Sequence, residues 1–216
     1  MRPSSCPGMP MPRRCLVLHT STAVLALAGC LPTLPGQGPQ PRTFRVTPKY
    51  TFPDGLPKVD WALAVGEPAA ERTLDTNRIA VVTSGTHIDY VALAFWVDRA
   101  PSMVQTQIVQ SFRNSGKIVQ VGTTRDRLRP QFLLSSDLRA FQLNRGGGEE
   151  TVRVRLDIQL LRMPQRDPVG GESFAADRPP TGAGVDPVVA AFDEALGRVL
   201  KELVAWTLRT GKAAGA

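Results

Sequence analysis

Apolar and polar positions along residues 43–210 fall into runs of changing period, and the period indicates the element. The clearest alternation sets Val152, Val154, Leu156, Ile158 and Leu160 against Arg153, Arg155, Asp157 and Gln159. Thr151 to Met163 therefore reads as a strand with one buried and one wet face. Gln131 to Leu143 is a second strand, and Asn144 to Glu150 (NRGGGEE) between them is a moderately long tip, so the pair predicts a hairpin. Ile88 to Val97 (IDYVALAFWV) is apolar on both sides and predicts a strand covered on both faces. Ser84 to His87 is a turn joining it to the short apolar run Ile79–Val82. Phe44, Val46 and Tyr50, with Trp61 to Val65, predict two strands around a Pro-rich turn at Pro53–Pro57. Ile118–Thr123 is a short strand, Val169–Ala175 adds an edge strand, and Asp177–Gly184 is a Pro/Gly loop.

Two stretches have helical period. In Pro101 to Ser115, Val104, Ile108 and Phe112 share a stripe, Gln107, Gln110 and Arg113 face away, and Gly116 follows the last turn. The stronger helix begins with Asp186 as N-cap and Pro187 in the first turn, and ends before Gly211. Val188, Phe192, Leu196, Val199, Leu203 and Trp206 form one stripe, opposite Glu194, Arg198, Lys201, Glu202 and Arg209. Val189, Leu200, Val204 and Leu208 widen the apolar arc to roughly 200°, more than a one-sided surface helix requires. Either the helix is sunk in a groove of its own sheet, or Leu200, Val204, Trp206 and Leu208 meet a second copy of the chain or another protein. The element order predicts a single α+β domain with a largely antiparallel sheet and two helices. No internal repeat is present.

The first thirty residues follow a different rule. Arg2, Arg13 and Arg14 make a basic region without acids, and Cys15 to Ala28 is mostly apolar but too short and too polar to span a bilayer. Leu27-Ala28-Gly29-Cys30 then resembles the bacterial lipobox, in which the cysteine is acylated and becomes the new N-terminus. Residues 1–29 are thus expected to be an export signal, and Cys30 the lipid attachment site, carrying palmitate-type chains. Loss of 29 residues and three arginines reduces 216 residues at +7 to 187 residues at +4. Three acyl chains exceed what stable anchoring in a bilayer needs. Leu31, rather than Asp, follows the cysteine, which favours the outer membrane by the enterobacterial rule. Leu31–Pro41 carries four prolines, two glycines and no charge, a tether of about 3 Å per residue where it is polyproline-like. The structural domain is expected over 42–210, with a flexible tail at 211–216.

Composition narrows the chemistry. Two histidines and three cysteines argue against a multi-ligand zinc site, and beyond the signal only His87 and Cys30 remain. A Ser–His–acid triad would have to use His87, but no Gly-x-Ser-x-Gly elbow occurs. Asn114–Lys117 lacks the first glycine of a phosphate loop. Asp137 and Asp157 can face each other across the hairpin, as acid–base carboxylates or as solvated strand residues. No catalytic residue, metal or cofactor is assigned. Export argues against nucleic acid despite the pI near 9.9. Arg139, Arg145, Arg153, Arg155 and Arg162 gather on the hairpin's outer face. Arg139, Arg153 and Arg155 are candidates for docking an acidic partner or anionic headgroups. Trp61, Trp96 and Trp206 read mainly as core.

Several segments in order resemble the ABC-type transport auxiliary lipoprotein family, the PqiC-like proteins of Gram-negative bacteria. They are Arg78–Val81, Asp89-Tyr90, Phe95–Pro101, Gln105-Thr106, Phe112–Gly116, Leu138–Phe141, Val152–Arg155 and Phe192–Leu196, within a likeness running from about Arg42 to Thr210. His87 and Phe95 depart from the family pattern. The resemblance implies a fold related to the N-terminal domain of TolB. It also implies a non-catalytic role beside a permease, an ATPase and a periplasmic MCE-domain protein that move lipids or hydrophobic compounds between membranes. In that role the lipoprotein docks the MCE protein to the outer membrane. The alternatives are a structural outer-membrane lipoprotein unrelated to transport, and an exported hydrolase using His87.

Overall fold

The computed structural model describes residues 39–146 and 148–215. The lipobox, Cys30 and the tether as far as residue 38 lie outside the described residues. In chain order the elements are β1 (Arg42–Phe44), β2 (Val59–Val65), β3 (Ala69–Ala70), β4 (Arg78–Val82) and β5 (Ile88–Trp96). Then come α1 (Ala100–Ser115), β6 (Ile118–Thr123), β7 (Phe132–Gly146), β8 (Glu149–Arg162), β9 (Asp167–Arg178) and α2 (Val185–Ala213).

The fold is α+β, and its sheet is organised around β7. One side of β7 pairs antiparallel with β8 along its whole length, and β8 pairs antiparallel with β9. The other side is shared in series by three parallel neighbours: β2 at Phe132–Leu134, β3 at Asp137–Leu138 and β4 at Gln142–Asn144. β2 extends to β6 in parallel, and β4 to β5 antiparallel, with β1 parallel at the far edge. The sheet is therefore mixed, with its longest ladders antiparallel. The expected turn between a first strand and Trp61–Val65 does not make a hairpin, because β1 pairs with β5 and β2 pairs with β6 and β7.

The alternation in β8 is realised: Val152, Val154, Leu156, Ile158 and Leu160 are buried, while Arg153, Arg155 and Gln159 are exposed. The tip is tighter than its seven polar residues suggest. Both strands continue into it, with Gly146 opposite Glu149 in register and Arg145 paired with Glu150 at 2.6 Å. β5 departs most from expectation. Tyr90 pairs with Ala80 and Phe95 with Arg78, so four residues of β5 stand against one of β4. In this bulge Leu93 takes φ 54° and is 43% exposed, and Ala92 is exposed too. A bulge resets which face a side chain points to, so a run apolar on both faces is not covered on both.

The helices pack side by side. Phe192 of α2 stacks edge-on against Trp96 at 5.1 Å and meets Phe141 at 4.8 Å, which fixes the N-terminal half of the helix over β5 and β7. α1 buries Val104, Ile108 and Phe112 as its stripe predicts, and Gly116 ends it in the left-handed region at φ 60°. Gln107 is buried rather than facing solvent. Neighbouring Gln105 donates from Nε2 to the Val65 carbonyl at 2.9 Å inside the core.

The end of α2 also differs from expectation. Gly184 rather than Asp186 is the N-cap. Asp186 instead takes both guanidinium nitrogens of Arg42 at 2.6 and 2.8 Å. Gly211 lies within the helix, which continues to Ala213, so the first three residues of the predicted tail are helical.

Candidate functional site

Residues 45–57, bearing Pro48, Pro53 and Pro57, form no strand, and proline's fixed φ and missing N–H suit such an extended course. This strap is pinned to both helices. The backbone N–H and hydroxyl of Thr47 donate to the Asp193 carboxylate at 2.5 and 2.9 Å. The Lys49 N–H donates to Ser111 Oγ at 2.9 Å, while Asn114 Nδ2 donates to the Lys49 carbonyl at 3.1 Å. Val46 and Leu56 anchor it in the core.

Between the strap and α2 runs an open groove of about 1030 Å³. Along its helix wall lie Gly197, Lys201, Ala205 and Arg209, each one turn from the next, with Trp206 beside Ala205. Gly197 leaves room for the stem of Lys49, whose Cδ is 3.8 Å from where a β-carbon would stand. Tyr50 is 67% exposed on the strap side. Trp206 is half-buried, edge-on to Phe174 at 6.0 Å.

Charge in the groove is partly cancelled. Arg198 bonds Glu202 at 3.1 Å, Arg178 lies 3.9 Å from Glu194, and Asp193 is held by Thr47. Among the described residues Lys49, Lys201 and Arg209 have no ion-pair partner. Three free cations thus flank an indole and an exposed phenol.

This site overlaps the predicted α2 interface at one residue only. Leu200, Val204 and Leu208 are fully buried against their own sheet and α1. The wide apolar arc is accounted for by a helix packed on more than one side. Of that set, Trp206 alone reaches solvent.

The predicted arginine face carries ion pairs within the chain. Asp157 sits at its centre, accepting from Arg139 Nε at 3.0 Å, Arg155 Nε at 3.1 Å and Ser173 Oγ at 2.5 Å. Those bonds, the Ser173 hydroxyl first, hold its carboxyl below the ordinary aspartate range. Arg153 forks onto Asp177 at 2.8 and 2.9 Å, raising its own pKa and depressing that of Asp177. Arg162 donates to the Ala214 carbonyl. Arg139, Arg153 and Arg155 are therefore paired with this chain's own carboxylates while remaining about half exposed. Asp137 does stand opposite Asp157 in register, but Asp157 is held as an anion by its donors, which opposes a shared proton.

His87 is 65% exposed in the β4–β5 turn, its Nε2 3.2 Å from Asp89 Oδ2. Trp61 and Trp96 are buried, as expected of core residues. No group of three His, Cys, Asp or Glu side chains able to hold a metal occurs among the described residues.

The family model for the ABC-type transport auxiliary lipoprotein component matches residues 46–204, from the strap through most of α2. The chain belongs to that family. Membership associates it with ABC-type transport and with the cell envelope, and no helix among the described residues is long and apolar enough to cross a membrane. The chain is similar to the crystal structure of protein XCC0632 from Xanthomonas campestris, with TM-score 0.76, 30% identity, and 80% of this chain and 98% of that one covered. It shares its fold with hypothetical protein CT253 from Chlamydia trachomatis, at TM-score 0.50 and 9% identity over 71% of this chain and 99% of that one. An uncharacterized protein of Bradyrhizobium diazoefficiens, bll6063, is 29% identical over 152 residues, 68% of this chain. The match spans about two-fifths of that relative's length (39%).

The auxiliary-lipoprotein groove was not legible from the sequence. Lys201 and Arg209 read there only as a polar helix face, and Lys49 not at all. The spacing of Pro48, Pro53 and Pro57 was the available signal for the strap.

Proposed function

We propose that this chain is the non-catalytic, periplasm-facing lipoprotein of an MCE-type ABC transport system that moves lipids or hydrophobic compounds across the envelope. In this reading Cys30 carries the lipid, the outer membrane holds it, and the folded domain docks the MCE-domain protein. The family match over residues 46–204 carries the proposal. The internally paired arginines leave the groove between strap and α2 as the better docking surface.

The test is labelled-palmitate incorporation, membrane fractionation and affinity capture from a Gram-negative host. Wild type should incorporate palmitate, sediment with the outer membrane and retain an MCE-domain protein, and Cys30→Ala should lose the first two. Sedimentation with the inner membrane, or capture without an MCE-domain protein, would overturn the assignment.

A further inference from the structure

We propose that the groove between the strap and α2 binds an extended acidic peptide segment of another protein, with one apolar or aromatic side chain seated at Ala205–Trp206. This rests on the reading that the domain docks a protein partner, and it names the chemistry that the partner must present.

The argument is one of spacing and charge. Gly197, Lys201, Ala205 and Arg209 follow one another at four-residue intervals, about 6 Å apart along the helix axis. Alternate residues of an extended strand are about 6.6–6.8 Å apart, so an extended ligand lying along α2 stays near register for the length of the groove. Lys49 lies over Gly197, so successive stations carry a cation, a cation, an apolar platform and a cation. The matching segment has acids at positions 1, 3 and 7 and an apolar residue at position 5.

A lipid tail fits this lining poorly. Asp193, Glu194 and Glu202 line the groove together with Arg178 and Arg198, and an acyl chain laid along these charged groups would strip their water and offer no polar contact in return. A peptide backbone can instead hydrogen-bond or stay solvated in an open channel. The chain's own N-terminal segment cannot supply the charge, because it contains no Asp or Glu before Asp54.

The probes are the heptapeptides DSESFSD and DSFSESD, which present the pattern in both chain directions. The full acylated chain, labelled with 5-fluorotryptophan and held in neutral phosphatidylcholine nanodiscs, is titrated while fluorine resonances are followed. Trp206 reports the groove, Trp61 and Trp96 report the core, and Trp206→Phe assigns the signal. At least one peptide should move the Trp206 resonance saturably, leave the other two in place, and weaken with added salt. The double variant K201E/R209E, altered only at exposed positions, should bind at least tenfold more weakly with unchanged core resonances. Replacing the acids by lysine should abolish the shift.

A Trp206 resonance unmoved by both peptides would overturn the proposal, as would equal binding by K201E/R209E. A shift produced by phosphatidylglycerol nanodiscs and not by peptide would assign the groove to lipid and likewise overturn it. Peptide binding without capture of an MCE-domain protein would spare the groove and defeat the transport reading. Capture unaffected by K201E/R209E would do the reverse.

Discussion

Gly211 lies so close beneath Trp61 that a β-carbon at position 211 would stand 2.5 Å from the indole ring. Trp61 is buried and edge-on to Phe132 at 5.0 Å, so it has little room to withdraw. A glycine that resembles a helix terminator is thus a contact point between α2 and β2. Gly211→Ala gains about 1 kcal/mol of helix propensity but forces overpacking that costs about 1–3 kcal/mol. The clash should win, lowering Tm by a few degrees in calorimetry, and Gly211→Ala should cost less when introduced into a W61L background. An unchanged or higher Tm for Gly211→Ala would mean that the helix can shift away.

Leu200 and Val204 distinguish core from interface directly. Both are fully buried. Burying two carboxylates without partners costs several kcal/mol each, comparable to the whole stability of a domain. Leu200→Asp with Val204→Asp should therefore abolish cooperative unfolding by circular dichroism. A folded double variant would return this flank to the surface.

The carboxylates on the β7–β8–β9 face make the fold acid-sensitive. Asp157 and Asp177 titrate below their ordinary value, through Ser173 and the flanking arginines in one case and Arg153 in the other. Each is ionised more readily folded than unfolded. Its contribution is complete above the unfolded pKa of about 3.9 and disappears as pH falls through the lower folded value. Tm should hold between pH 7 and 5 and drop below about pH 4. Asp157→Asn should have a shallower drop, and an identical profile would show that Asp157 does not contribute.

The Arg42–Asp186 pair should matter little despite its two short bonds. Both side chains are more than half exposed, and solvent screens such a pair. Arg42→Ala should leave the urea midpoint essentially where it is in the wild type. A clear fall would show that the pair fixes the strap's entry.

What the sequence revealed depended on how local the cause was. The alternation in β8 and the Val104–Ile108–Phe112 stripe are properties of a single element, and both were readable. The β5 bulge was not, because its effect is defined only against β4. The arginines were visible as charges, but their neutralisation requires the β8–β9 register that brings Arg153 to Asp177 and Asp157 to Ser173. The groove needed more still, since Lys49 meets Gly197 across some hundred and fifty residues of chain. Periodicity placed α2 correctly but could not tell an arc facing a partner from one enclosed by its own domain.

β7 is the common border of both smaller arms of the sheet. β2 and β4 precede it in the chain by several elements, so neither arm can be completed until residues 132–146 have arrived. A polypeptide delivered N-terminus first holds β2 and β4, with Leu63, Val65, Ile79 and Val81, without their β7 neighbour throughout that interval. Such non-local pairing is slow and leaves apolar surface open to aggregation while it waits. The domain should therefore need a holding chaperone during delivery. It should also resist division into complementing halves, since any cut before β7 leaves β2 and β4 on one fragment and the strand that joins their two arms on the other.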